Sequence, residues 1–176
     1  MFGLPKVYLA SKSPRRRELL KQAGIAFEPL LLREHPPRAS DVSEDLLPGE
    51  KPEDYVVRVS NIKASTGWVR VLQRQLPRLP VLAADTTVAL EDRIYAKPID
   101  RADAVRMLTE LSGREHRVLT AVCVKLDNRE LSALSESFVR FAPLSARDID
   151  AYVRSGEPLD KAGAYAIQGF AQAFVT

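Results

Sequence analysis

Apolar and polar positions alternate in blocks along this chain, and the blocks predict strands and helices in turn. Val7 to Ala10 is a short apolar run and reads as a strand. Ser13-Pro14 opens a helix that runs to about Ala23. Serine is a good N-cap, proline a good first helical residue, and Gly24 a natural stop. Phe27 to Leu32 is a second apolar run, expected as a strand. Residues 33 to 51 are polar and proline-rich, with Pro36, Pro37, Pro48 and then Gly49. They read as a long loop, of the kind that is usually functional or disordered. From about Pro52 to Leu76 the period becomes helical, with Tyr55, Val59, Ile62, Thr66 and Val69 as the inward stripe. Pro77 and Pro80 bracket the exit.

Val81 to Ala84 reads as a buried strand, and Thr87 to Leu90 with Arg93 to Tyr95 as a hairpin around Glu91-Asp92. Asp100 caps the next helix, which ends at Gly113. Arg117 to Leu126 alternates as a strand, with Ser137 to Pro143 as its partner. Ser145 caps a helix that ends near Gly156, and Glu157 to Thr176 reads as loop followed by strand. Strands alternate with helices, yet hairpins are present. The expectation is an α/β fold with a mixed sheet. No linker divides the chain, so residues 1–176 are expected to form a single domain.

Composition narrows the classes. The chain is 45% hydrophobic and 28% charged, ordinary for a folded soluble protein. No apolar run is long enough to span a membrane. A net charge of +3 is too small to argue for a nucleic-acid partner. The distribution says more: Lys6, Lys12, Arg15, Arg16 and Arg17 stand in the first 17 residues without an acid, and acids gather from Asp41 to Asp54. Pro5 and Pro14 break up any transit-peptide helix there. Cys123 is the lone cysteine, which fits the reducing cytoplasm. Beside it, His35 and His116 are too few for a standard zinc site. His116, at the start of a strand, is expected to be structural.

The helix opened by Ser13 contains a contradiction. Arg15, Arg16 and Arg17 fill its first turn, the end that already holds a partial charge of about +0.5. A capping box would put Glu or Gln where Arg16 stands. Exposed, each arginine there costs roughly 0.3–1 kcal/mol. A bound anion removes the conflict, because free N–H groups, the dipole and the guanidinium forks all favour one phosphate. A solvated, screened basic turn is the plainer alternative.

Asp85 is the lone carboxylate in the apolar run Val81 to Val88. It is costly there unless paired or bound to a metal. It could cap a turn, bridge to a lysine or do chemistry. Lys63 flanks the apolar stripe of its helix, four residues after Val59. Lys97 precedes Pro98 and leans extended. Glu44 lies in the long loop. Singly, these are a snorkelling lysine, an exposed loop lysine and a solvated glutamate. Together they suit phosphoryl chemistry: cations neutralise a triphosphate, and carboxylates hold Mg²⁺ and activate water. The glycine-rich loop of Walker-type NTPases is missing.

Five stretches resemble the Maf family of nucleotide pyrophosphatases, in the family's order and spacing. They are Tyr8-Leu-Ala-Ser-Lys-Ser-Pro-Arg-Arg-Arg-Glu-Leu-Leu20, Ala84-Asp-Thr-Thr-Val88, Ala96-Lys-Pro-Ile-Asp100, Leu111-Ser-Gly-Arg-Glu-His-Arg-Val118 and Asp160-Lys-Ala-Gly-Ala-Tyr-Ala-Ile-Gln-Gly169. The resemblance implies an inosine-triphosphatase-like α/β fold of the Maf/Ham1 type, with a mixed twisted sheet, flanking helices and two lobes around a cleft. It also implies metal-dependent release of pyrophosphate from a nucleoside triphosphate. It assigns Ser11, Ser13, Arg15 and Arg16 to phosphate binding, and Lys63 and Lys97 to the two family lysines of the catalytic set. Asp85 becomes the catalytic base and, with Glu44, a metal ligand. Mg²⁺ is the implied cofactor, with Mn²⁺ and Co²⁺ as alternatives, and a homodimer is the implied assembly.

The stretch Asp160 to Gly169 resembles the branch that takes dTTP and UTP, rather than the one that takes 7-methyl-GTP. CTP and modified pyrimidine nucleotides are further candidates. Arg16, Thr86 and Gln168 fall on the positions linked to substrate choice. A glutamine amide offers a donor and an acceptor to the O4/N3–H edge of uracil or thymine. Two departures stand out: relatives continue past Thr176 by about another strand and helix, and Phe170-Ala171-Gln172 replaces a glycine-richer stretch. Two rivals remain. One is a nucleotide-sensing regulator of division or septum formation without turnover. The other is an RNA-binding domain built on the basic N-terminus, weakened by sparse aromatics at 7%.

Overall fold

A computed structural model of the protein describes residues 6–33 and 40–176, so His35, Pro36 and Pro37 lie outside the described residues. In chain order the elements are β1 (Val7–Leu9), α1 (Pro14–Gln22), β2 (Phe27–Pro29), α2 (Pro52–Gln73), β3 (Val81–Leu90), β4 (Arg93–Tyr95), α3 (Arg101–Leu111), β5 (Glu115–Leu126), β6 (Arg129–Arg140) and α4 (Ala146–Arg154). The six strands form one sheet in the order β2-β1-β3-β5-β6, with β4 paired to β3. β1 runs parallel to β2 and β3, while β4 is antiparallel to β3. The sheet is therefore mixed, as alternation interrupted by hairpins predicts. Among the described residues no helix is long and apolar enough to cross a membrane.

The chain folds as two compact units. The first comprises Met1–Glu50, Asp54–Asp85 and Ala121–Leu134; the second comprises Lys51–Glu53, Thr86–Thr120 and Ser135–Thr176. β3 passes from the first unit to the second directly after Asp85.

In the first unit, Tyr8, Ala10, Leu30, Ala64, Trp68, Val71, Val81, Ala83 and Cys123 form the core. Helix α2 turns toward this core a stripe that differs from the expected one. Tyr55 and Val59 are buried as predicted, together with Val56, Ser60, Ala64, Trp68 and Val71. Ile62 and Thr66 are only half-buried, and Val69 is exposed. The reason is close approach. A Cβ on Gly67 would lie 2.8 Å from Val81 Cγ1, so the helix meets β3 through small residues that a count of large apolar side chains overlooks. β2 stops at Pro29, short of the expected Leu32.

The second unit is built on α3 and α4, capped by Asp100 and Ser145 as predicted. Val88, Tyr95, Met107, Leu108, Phe141, Ile149, Tyr152 and Tyr165 belong to its core. The strand expected within Glu157 to Thr176 does not form. The chain instead makes 3₁₀ turns at Glu157–Asp160, Ala162–Ala164 and Phe170–Phe174, and keeps one bridge between Phe141 and Val175. Gly163 explains part of this. It has φ +68 and sits against Val88, where a Cβ would come within 2.7 Å, so the backbone turns inside the core. β6 begins at Arg129 rather than Ser137, because nearly all its residues are exposed and leave no alternation to read.

Candidate functional site

The N-terminus of α1 interlocks with the segment before it. Ser13, the N-cap, accepts a hydrogen bond from Arg16 N at 3.4 Å. Ser11 Oγ accepts from Ser13 N at 3.2 Å and from Arg16 Nη1 at 3.1 Å. Arg16 thus folds back over the turn that it belongs to, half-buried, while Arg15 is exposed. Burial pushes the Arg16 guanidinium down, and the charges of Asp85 and Glu44 pull it back up. Arg17 Nε is enclosed without a hydrogen-bond partner among the described residues. The first turn holds no acid. Three arginines thus stand at the positive end of the helix dipole, with Asp85 and Glu44 as the carboxylates that act on Arg16.

Asp85 is the fifth residue of β3, on a strand that continues through it without a break, and it is 8% exposed. Lys63, from the edge of the buried stripe of α2, donates to Asp85 Oδ1 at 2.8 Å. The same ammonium lies 2.7 Å from Glu44 Oε1. One cation therefore bridges two carboxylates. Burial pushes the Asp85 carboxyl above the usual carboxylate range, although Lys63 opposes the shift; Glu44 adds to it and Arg16 subtracts. A carboxylate whose proton affinity is raised this way is suited to take a proton from water.

The described part of the loop that bears Glu44 is pinned to α2 at several points. Tyr55 Oη donates to the Glu44 carbonyl at 3.1 Å. Arg58 donates to the Asp45 carbonyl at 2.9 Å and grips Glu50 at 2.5 and 2.8 Å. Asp41 is held by Arg70 at 2.5 Å and by Arg33 at 2.8 Å, which keep it well below the usual carboxylate range. Sequence reasoning missed these anchors. The available signal was the acid cluster from Asp41 to Asp54, which faces basic residues on the helix that follows it.

Ser11, Ser13, Arg15, Arg16, Glu44, Lys63 and Asp85 all belong to the first unit. Thr86, Lys97 and Gln168 belong to the second. Thr86 Oγ1 is 3.0 Å from Thr120 Oγ1. Lys97 is exposed on the segment after β4, just before buried Pro98. Gln168 is exposed on a turn closed by Gly169 N donating to the Ala166 carbonyl at 2.9 Å. With Ile167, Gln172 and Val175 it lines a depression of about 570 Å³. Glu157, which sequence reasoning also missed, sits against Gly169 and accepts from Phe170 N at 3.2 Å.

Glu44 and Asp85 offer hard oxygen ligands that share one counter-cation. Such a pair would suit a hard divalent cation such as Mg²⁺, for which carboxylate oxygens are ordinary ligands. Among the described residues no group of three or more His, Cys, Asp or Glu forms a dedicated cage. His116 is buried in the second unit, 2.7 Å from Tyr165 Oη and edge-on to Phe141. Burial pushes its imidazole down to about 4.

Residues 6–176 match the family described as Maf-like protein. A dTTP/UTP pyrophosphatase of Nitrosomonas europaea is 55% identical over 169 residues, covering 96% of this chain and 82% of its own length. One from Ralstonia nicotianae is 55% identical over 172 residues, covering 97% and 82%. One from Dechloromonas aromatica is 50% identical over 170 residues, covering 97% and 85%. Among solved structures, the Staphylococcus aureus Ham1 protein superposes with a TM-score of 0.52 at 16% identity, covering 78% of this chain and 72% of that one. That likeness is one of fold, and it agrees with the Ham1-type architecture implied by the motifs.

Proposed function

The chain belongs to the Maf family, and on that basis we propose that it hydrolyses dTTP and UTP to the monophosphate and pyrophosphate. The observation that carries this reading is the cluster in the first unit: buried Asp85 and loop-borne Glu44 share Lys63, within the electrostatic reach of Arg16. A polyphosphate is the ligand that such a set of cations and carboxylates accommodates.

In this account Ser11, Ser13, Arg15 and Arg16 bind phosphate oxygens at the start of α1. Lys63 and Lys97 neutralise charge as it shifts to the leaving group. Asp85 orients a water and takes its proton; the water oxygen bonds to phosphorus as the bridging P–O bond breaks, and the bond's electron pair leaves with pyrophosphate for attack at the α-phosphorus or with the monophosphate for attack at the β-phosphorus. Attack at the α- or the β-phosphorus gives the same products, and ¹⁸O-water tells them apart by labelling the monophosphate or the pyrophosphate. Glu44 and Asp85 would hold a divalent cation, Mg²⁺ by preference, which supplies further neutralisation of the polyphosphate when bound. Gln168 reads the O4/N3–H edge of the base, with Thr86 and Arg16 contributing to substrate choice. The reading includes a cytoplasmic setting, supported by the free, buried Cys123, and a homodimer, supported by the family resemblance alone.

The test is a coupled assay for pyrophosphate with Mg²⁺ and each pyrimidine triphosphate. Release from dTTP and UTP is expected. Tight nucleotide binding without release would instead favour a regulator that senses nucleotides.

A further inference from the structure

Gln168 has a part in the proposed reaction, but the carboxylate behind it has none so far. Glu157 follows α4 and reaches the turn that presents Gln168. Its Oε2 accepts from Phe170 N at 3.2 Å, and its Oε1 accepts from Tyr152 Oη at 2.9 Å. Tyr152 is buried on α4, so the carboxylate is tied to a rigid element at one oxygen and to the turn at the other. Gly169 lies directly against it: a Cβ there would fall 2.0 Å from Oε1 and 2.5 Å from Cδ. Gly169 has φ −105, outside the left-handed region, so what glycine provides there is room for the Glu157 carboxylate, which a Cβ would displace. The Gln168–Gly169 peptide is fixed too, through the bond from Gly169 N to the Ala166 carbonyl.

We propose that Glu157 is a positioning residue for base selection, locking the Gln168–Gly169–Phe170 backbone so that the Gln168 amide meets the pyrimidine in one orientation. The inference rests on the assignment of Gln168 to the base. An amide tells thymine or uracil from cytosine only if its donor and acceptor ends are held in register with O4 and N3–H. A swinging amide can satisfy either base equally. Loosening the seat should therefore erode discrimination while leaving phosphate binding and chemistry intact.

The experiment compares kcat/KM for dTTP and dCTP in the wild type, Glu157→Gln and Gln168→Ala. Glu157→Gln keeps the size of the side chain but leaves one acceptor oxygen for two donors, so one of the two anchoring hydrogen bonds is lost. The expected result is a fall of about tenfold in the dTTP-to-dCTP ratio, through KM for dTTP, with dCTP turnover unchanged. A parallel loss on both nucleotides, or an unchanged ratio, overturns the positioning role. If Glu157→Gln fails to fold, Tyr152→Phe removes one of the two anchors and is read by the same ratio. Gln168→Ala separates the base contact from its support. If it lowers the ratio while Glu157→Gln does not, only the positioning role falls. If it leaves the ratio unchanged, the base assignment falls and takes the proposal with it. A wild type that does not discriminate dTTP from dCTP has the same consequence.

Discussion

Asp85 illustrates how burial and pairing compete over one carboxyl. Burial raises its proton affinity, and Lys63 pulls it back. A general base acts when deprotonated, so kcat/KM should fall as pH drops through a value above the ordinary carboxylate range. Removing Lys63 removes the opposing cation. In Lys63→Met the acid limb of the pH profile is expected to move to higher pH, and in Lys63→Arg it should stay near its place; an unmoved limb in Lys63→Met would separate that limb from Asp85. Stability follows the same logic. A carboxyl raised in the folded state contributes stability below its unfolded pKa, and that contribution is lost as pH rises through the folded one. Asp85→Asn at pH 7 should therefore leave the melting temperature equal or higher, as checked by thermal unfolding. His116 has the opposite sign. Its imidazole is depressed to about 4 in the fold against about 6.5 unfolded, so the stability it supports above pH 6.5 is lost as pH falls toward 4. The loss should reach about 3 kcal/mol. Urea unfolding at pH 7 and pH 4.5, compared between the wild type and His116→Phe, measures it: the variant should lose less. At this scale Asp85 was legible because a lone carboxylate in an apolar run has few stable roles. Tyr55 and Glu157 were not, because each works through a backbone atom that sequence does not label.

Helix α2 and the loop before it show how an element serves the site. Its periodicity and flanking prolines made its extent readable to within a few residues. Its buried face was misread because Ala64 and Gly67 mark the contact with β3, and small residues add little to an apolar stripe. The positions that face the loop matter as much. Tyr55, Arg58, Lys63 and Arg70 reach the loop, and through it hold Glu44 beside Lys63. Arg58→Ala would release Glu50 and the Asp45 carbonyl together. If Glu44 ligates the metal, that change should weaken the apparent Mg²⁺ affinity about tenfold while kcat at saturating Mg²⁺ is largely kept. Rates measured across a Mg²⁺ titration give the answer, and an unchanged half-saturation would free Glu44 from that role. The last segment was the least legible element. Its alternating small and apolar residues suit a strand on paper, but tight 3₁₀ turns place Gly163 against Val88 and Gly169 against Glu157.

For the molecule as a whole, alternation of helical and extended periods was enough to predict a mixed α/β fold, and a solved relative of fold shares it at 16% identity. Sequence motifs carried the functional reading further than periodicity did, and relatives at 50–55% identity agree with it. What they could not convey is how Lys63 gathers Glu44 and Asp85 from a loop and a strand far apart in the chain. The central claim is that this gathered carboxylate drives hydrolysis. Its most direct test is pyrophosphate release from dTTP by Asp85→Asn against the wild type, with circular dichroism on both. The account predicts a loss of roughly 10²-fold or more with the fold intact; turnover near the wild-type rate would contradict it.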